Sequence, residues 1–160
     1  MANFMTHASY ERLYGEMKFI QEKEIPRITK AKQAAAEEGD LKENAEYHAC
    51  KENLNQLQAR LENIRSRLAA VSYIDDLKIP CSLVSVGTRV SFQELGKKEP
   101  CEYTILGSED VDVANNIISI VSPIAKSLVA KKVNDVVDIK TPEGSRKVKI
   151  ISIKHFKDKK

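Results

Sequence analysis

From Tyr47 onward the apolar positions fall at Tyr47, Cys50, Leu54, Leu57, Leu61, Ile64, Leu68 and Val71, in alternating steps of three and four residues. Charged and amide residues fill most of the positions between them. Such stepping lays one narrow apolar stripe along an α-helix and is the seam of a coiled coil. It predicts a helix from Leu41 to about Ser72, on the order of 48 Å long at about 1.5 Å per residue. Upstream, Leu13, Met17, Ile20, Ile28, Ala31 and Ala35 carry a looser version of the same seam. Glu24 and Pro26 interrupt it, and the proline, with no N–H to donate, predicts a bend. Between the two patterns stand Glu37, Glu38, Gly39 and Asp40. The glycine suits a left-handed helix end, and the aspartate suits the cap of the next helix. Residues 1–75 are thus predicted to form an antiparallel coiled-coil hairpin. It pairs its own seam and needs no second chain, so a monomer is expected.

The pattern then changes period. Residues 76–84, around Pro80, are predicted to be a linker. Short β-type runs follow at Arg89–Phe92, Tyr103–Leu106, Ile117–Val121, Val136–Ile139 and Val148–Ile153, separated by Gly96, Gly107, Asn115–Asn116 and Pro142–Gly144. One helix is predicted among them, with Ser122 as cap, Pro123 at its first position and Ile124–Ala130 behind. The expected fold class is α+β: the hairpin, then a small domain over 85–160 made of a strongly bent antiparallel sheet and one helix.

Composition narrows the function more than the fold. The 160 residues are 42% hydrophobic and 31% charged, a balance that folds and is not a disordered tail. No apolar run approaches the roughly 18 residues of a membrane span, and the first residues lack the order of a signal peptide, so a cytoplasmic protein with no membrane contact is expected. The net charge of +3 is uneven: residues 1–75 hold 11 basic against 12 acidic residues, and the remainder 15 against 11. Neither half carries a basic stripe that would mark a nucleic-acid binder by charge alone. Cys50, Cys81 and Cys101 have neither disulfide nor zinc-site spacing and are expected to be small buried hydrophobes. His7, His48 and His155 lie in separate segments, and no nucleophile elbow, phosphate loop or zinc-protease helix occurs. A self-contained enzyme is not expected.

What stands out is the run Gly39-Asp40-Leu41-Lys42-Glu43-Asn44-Ala45-Glu46-Tyr47-His48 at the hairpin tip. Asp40 and Glu43 are three apart at the predicted helix start, which is the spacing of a capping box. The same spacing places two carboxylates on one side of an exposed first turn. Magnesium takes one or two carboxylates and keeps waters, so such a pair is part of a metal site that a partner must complete. Spacing alone leaves both readings open.

This run resembles the tip of the Gre family of bacterial transcript cleavage factors, in wording closer to its A-type members. The resemblance extends through Ile74-Asp75, Ser122-Pro123-Ile124-Ala125 and Val133-Asn134-Asp135-Val136-Val137 into Thr141-Pro142-Glu143-Gly144. It implies an FKBP-like C-terminal domain that docks at the rim of the RNA polymerase secondary channel, and a coiled coil that passes down the channel to the active centre. There the polymerase itself would cleave the 3′ end of backtracked RNA and resume synthesis. By the same resemblance Asp40 helps hold a second, weakly bound magnesium shared with the polymerase, and the chain alone binds no cofactor. Glu43 positions the attacking water. Asn44, Tyr47, Lys42 and Lys51 support the tip or meet the RNA, and Ser122, Pro123 and Ile124 belong to the docking surface. Simpler readings stand beside these: Tyr47 opens the apolar seam, the lysines are a solvated face, and Ser122 and Pro123 begin a helix. Two other functions share the architecture. One is a non-catalytic channel occluder that inhibits transcription, and the other is a coiled-coil adaptor or chaperone.

Overall fold

The computed structural model describes residues 3–40 and 43–158. Its contacts divide the chain into two units, Tyr10–Ala70 and Met1–Ser9 with Val71–Lys160. The division drawn from sequence, at 75 with a linker over 76–84, differs at both edges. Asn3–Met5 (β1) pairs in parallel with Val71–Tyr73 (β2), which carries the start of the chain into the second unit. At the other edge, Val84 is almost fully buried in the sheet core and exchanges backbone hydrogen bonds of 2.9 Å with Lys131 and Ala130.

The first unit is a helical hairpin. One arm runs through α1 (His7–Phe19), a π-helical turn (Ile20–Glu24) and α2 (Ile25–Glu37), and the other is α3 (Ala45–Leu68). Along α3 the positions out of full solvent are Tyr47, Cys50, Leu54, Leu57, Leu61, Ile64 and Leu68, joined only by Arg67, which is the seam expected from sequence. Val71 is the exception. The helix ends at Leu68, Ala70 turns at φ 53°, and Val71 enters β2. On the other arm Leu13, Ile20, Ile28 and Ala35 are buried, whereas Ala31 is exposed and Lys32 takes the place assigned to it. The interval from Ile20 to Ile28 is one residue longer than a heptad. The π-turn absorbs the extra residue, with the Ile25 N–H reaching back five positions to the Ile20 carbonyl. Pro26 follows at the start of α2, where its missing N–H is least felt. An Arg60–Glu16 ion pair, with Arg60 Nε donating to Glu16 at 2.6 Å, bridges the two arms.

The second unit holds a five-stranded sheet in the order β5-β4-β3-β7-β6, from β3 (Thr88–Glu94), β4 (Pro100–Leu106), β5 (Ile117–Ser119), β6 (Val136–Thr141) and β7 (Gly144–His155). All five expected runs are present. The sheet is mixed rather than wholly antiparallel, because β5 lies parallel to β4 through Thr104↔Ile117, Ile105↔Ile118 and Leu106↔Ser119. A bulge between Ser91 and Phe92 against β7 adds local twist. The helix α4 (Pro123–Leu128) is shorter than predicted and packs Ala125 and Leu128 into a core of Val90, Phe92, Ile105, Val137, Ile139, Val148 and Ile150. Cys81 and Cys101 are exposed and Cys50 only half-buried, so the expectation of buried cysteines is not met. Among the described residues no helix is long and apolar enough to cross a membrane.

Candidate functional site

The tip of the hairpin is built by two helix ends. The last turn of α2 closes with the Glu38 N–H donating to the Ala35 carbonyl at 3.2 Å, and Glu38 keeps right-handed helical angles. Gly39 is absent from the left-handed residues, so the helix stops without the glycine end expected from sequence. At the far side α3 begins at Ala45, and its cap is Asn44 rather than Asp40. The Asn44 Oδ1 accepts the Tyr47 N–H at 3.0 Å, and its carbonyl accepts the His48 N–H at 3.1 Å. The capping box expected from Asp40 and Glu43 is therefore corrected. Both carboxylates precede the helix, in a turn where the Glu43 N–H donates to the Asp40 carbonyl at 3.3 Å. Asparagine caps as well as aspartate does, and the Asp-x-x-Glu spacing drew attention to the wrong member of the run.

Asn44 makes one further contact, its Nδ2 donating to the Ala35 carbonyl at 2.5 Å. Around this tie Glu38, Asp40, Glu43 and Glu46 line an open concavity together with Gly39, Asn44 and Ala45. Asp40, Glu43, Glu38 and Glu46 are all solvent-exposed. Glu38 and Glu46 were not singled out in the sequence, although Glu46 in the first turn of α3 is where the helix dipole favours an acid. Carboxylate oxygens are the hard donors that magnesium takes, so the donor set fits that ion. Among the described residues no group of three or more His, Cys, Asp or Glu side chains is placed to hold a metal ion.

The remaining candidates fall in different places. Tyr47 is half-buried at the head of the seam, edge-on to His48 with ring centroids 5.6 Å apart and with Lys32 Nζ 5.8 Å from its ring centre. Lys51 is exposed on α3, and Lys42 lies outside the described residues. Ser122, Pro123 and Ile124 belong to the sheet unit. Ser122 Oγ accepts the Ala125 N–H at 3.2 Å as the cap of α4, Pro123 is exposed, and Ile124 packs beside the core. Ile124 also lines, with Phe92, Tyr103 and Val148, a cavity of about 70 Å³.

Comparison with known proteins accounts for both units. A family model described as transcription elongation factor, N-terminal, matches residues 3–72, and one described as transcription elongation factor, GreA/GreB, C-term, matches residues 79–155. The transcription elongation factor GreA of Baumannia cicadellinicola subsp. Homalodisca coagulata is 40% identical over 153 residues, covering 95% of this chain and 97% of that protein. The GreA of Helicobacter hepaticus is 38% identical over 154 residues, covering 96% and 94%. Among solved structures, GreA factor homolog 1 of Thermus thermophilus aligns over 96% of this chain and 99% of that one, at 23% identity and a TM-score of 0.42. With relatives this similar along almost its whole length, the chain belongs to the GreA/GreB family of transcription elongation factors.

Proposed function

We propose that this factor rescues arrested RNA polymerase by stimulating the polymerase's own cleavage of the 3′ end of backtracked RNA, and that it is a cofactor rather than an enzyme. Family membership implies interaction with RNA polymerase. What supports the finer reading is the tip itself, where an exposed pair of carboxylates, Asp40 and Glu43, stands between two helix ends. Two carboxylates fill part of a magnesium shell, and a polymerase active centre with its own carboxylates would supply the rest. A shared magnesium ion would supply Lewis-acid activation of water and stabilise charge on the scissile phosphate. Asp40 would hold that ion through a carboxylate oxygen. Glu43 accepts a hydrogen bond from the attacking water and so orients it. Lys51 would meet RNA phosphates, the role that the family resemblance also gives Lys42. Ser122, Pro123 and Ile124 dock on the polymerase rim, while the hairpin, paired with itself, serves as a monomeric arm in the cytoplasm.

The test is a transcript-cleavage assay on backtracked polymerase, with the unaltered chain, Asp40→Asn and Glu43→Gln. The unaltered chain should accelerate cleavage, and each variant should bind polymerase nearly as well while losing the acceleration. A polymerase stripped of its own magnesium-binding aspartates should not cleave even with the factor saturating. Inhibition without cleavage by the unaltered chain would instead make it a channel occluder, and no effect on transcription would leave a coiled-coil adaptor.

A further inference from the structure

We propose that Asn44 is a positioning residue that fixes the acidic tip by tying the two ends of its loop to one carbonyl oxygen; this rests on the cleavage reading above. The Ala35 carbonyl accepts two hydrogen bonds, from the Glu38 N–H at 3.2 Å on one side of the loop and from Asn44 Nδ2 at 2.5 Å on the other. Residues 39–43, with Asp40 and Glu43 among them, lie between those two ties. A carbonyl has two lone pairs, so the double acceptance is complete. Ala35 is buried on the hairpin seam, only 4% exposed, which makes its carbonyl a fixed post rather than a frayed helix end. Among the described residues of the loop, the Glu43 N–H donates to the Asp40 carbonyl at 3.3 Å and links the backbones of the two acidic residues.

The demand on residue 44 is specific. Its side chain must accept from the Tyr47 N–H, which only donates, and donate to the Ala35 carbonyl, which only accepts. Among short side chains only asparagine offers a carbonyl oxygen and an N–H₂ at the same reach. Aspartate and serine are equally good caps for α3, yet aspartate sets an acceptor against the Ala35 carbonyl and serine is too short to span the gap. The two roles of Asn44, capping a helix and closing a loop, can therefore be separated by substitution.

The experiment compares the unaltered chain with Asn44→Asp and Asn44→Ser. Helical ellipticity and polymerase affinity should be unchanged in both. In the free protein, amide hydrogen exchange at Glu38 and Glu43 should quicken by about fivefold, the loss of roughly one hydrogen bond. At saturating factor the cleavage rate should fall by about tenfold or more, since small misplacements of a catalytic group are costly. The magnesium concentration for half-maximal cleavage should rise in both variants, including Asn44→Ser, which adds no charge. Unchanged exchange in both variants, or quickened exchange with full cleavage, would overturn the positioning role and leave Asn44 a helix cap alone. If the unaltered chain gives no stimulation, the cleavage reading falls and this role falls with it, whatever exchange shows.

Discussion

The hairpin and the sheet unit solve the problem of burial in opposite ways. In the hairpin each arm offers one stripe, and what is fully buried is a short series, Leu13, Ile20, Ile28 and Ala35 against Leu61 and Ile64. Toward the tip, α3 is covered only in part at Tyr47, Cys50, Leu54 and Leu57. The sheet unit instead closes a core around Val90, Ile105, Leu128 and Ile150, none of which is measurably exposed, from elements far apart in sequence. A two-helix arm gains reach and an exposed end at the expense of depth. A sheet with a covering helix gains depth and presents surfaces rather than an end. The exposed carboxylates of the tip, Asp40 and Glu43, stand on the part of the molecule that buries least.

That contrast can be broken most severely at the seam. Leu61→Asp places an unpaired charge where the side chain is only 3% exposed and should destabilise the hairpin by about 3–5 kcal/mol. Helical ellipticity should drop while slow amide exchange in β3, β4 and β7 persists. Loss of both together would show that the two units fold as one, and an unchanged melting temperature would show that the seam register is wrong.

The corresponding weak point of the sheet unit is polar. Asp110, 9% exposed, accepts from Thr6 N–H at 3.2 Å, Thr6 Oγ1 at 2.6 Å and Gly107 N–H at 3.1 Å. Gly107 has no room for a side chain there, because an added Cβ would lie 1.9 Å from the Phe4 carbonyl oxygen. Asp110→Ala strands several buried donors and should cost about 3 kcal/mol in a denaturant titration. Proteolysis should then reach residues 3–9 first. A loss under about 1 kcal/mol would mean that strand pairing between β1 and β2 holds the chain start without the carboxylate.

The two regions also differ in how far they can be read from sequence. Local patterning located α3 and most of its seam by heptad stepping, the five strands by short β-type runs between turn residues, and the helix of the sheet unit by its Ser122-Pro123 start. It failed where a residue answers to a distant partner. Val71 continues the heptad arithmetically but is claimed by pairing with Asn3, and three-residue strands such as β1 and β2 carry too little pattern to be seen alone. The parallel placement of β5 beside β4 has the same origin, since register across a loop is not written in either strand. On the hairpin, Lys32 displaced Ala31 because a π-turn inserted one residue ahead of it. At the tip, Asp40 and Glu43 stand out in the sequence as a spaced pair of carboxylates, and the structure places both in an exposed turn ahead of α3. The second tie of Asn44 is not visible in the sequence, because its partner, the Ala35 carbonyl, is a backbone group with no residue signature.

A milder substitution sharpens the gradient within the hairpin. Leu61→Ala should cost about 2–4 kcal/mol, whereas Leu54→Ala, at a half-buried position nearer the tip, should cost about 1 kcal/mol. Equal losses would mean that the tip half is as tightly packed as the root, contrary to the burial of its seam residues.

The smallest effect concerns charge in the sheet unit. Burial by itself pushes the Asp75 carboxyl up, but the His7 backbone N–H at 2.8 Å and Lys157 Nζ at 3.2 Å outweigh it and hold the carboxyl below its ordinary 3.8. A carboxyl held low in the folded state stabilises fully above its unfolded value and loses that contribution as pH falls through its folded value. Asp75→Asn keeps an acceptor for His7 and removes only the charge toward Lys157. Its cost at neutral pH should be under about 1 kcal/mol, as for most partly exposed ion pairs. In melting experiments run downward from pH 7, the gap between the unaltered chain and Asp75→Asn should hold to about pH 5 and close below 3.8, once the carboxylate of the unaltered chain is protonated. A gap that widens in acid would reverse the sign and show that burial, not the His7 and Lys157 contacts, governs this group.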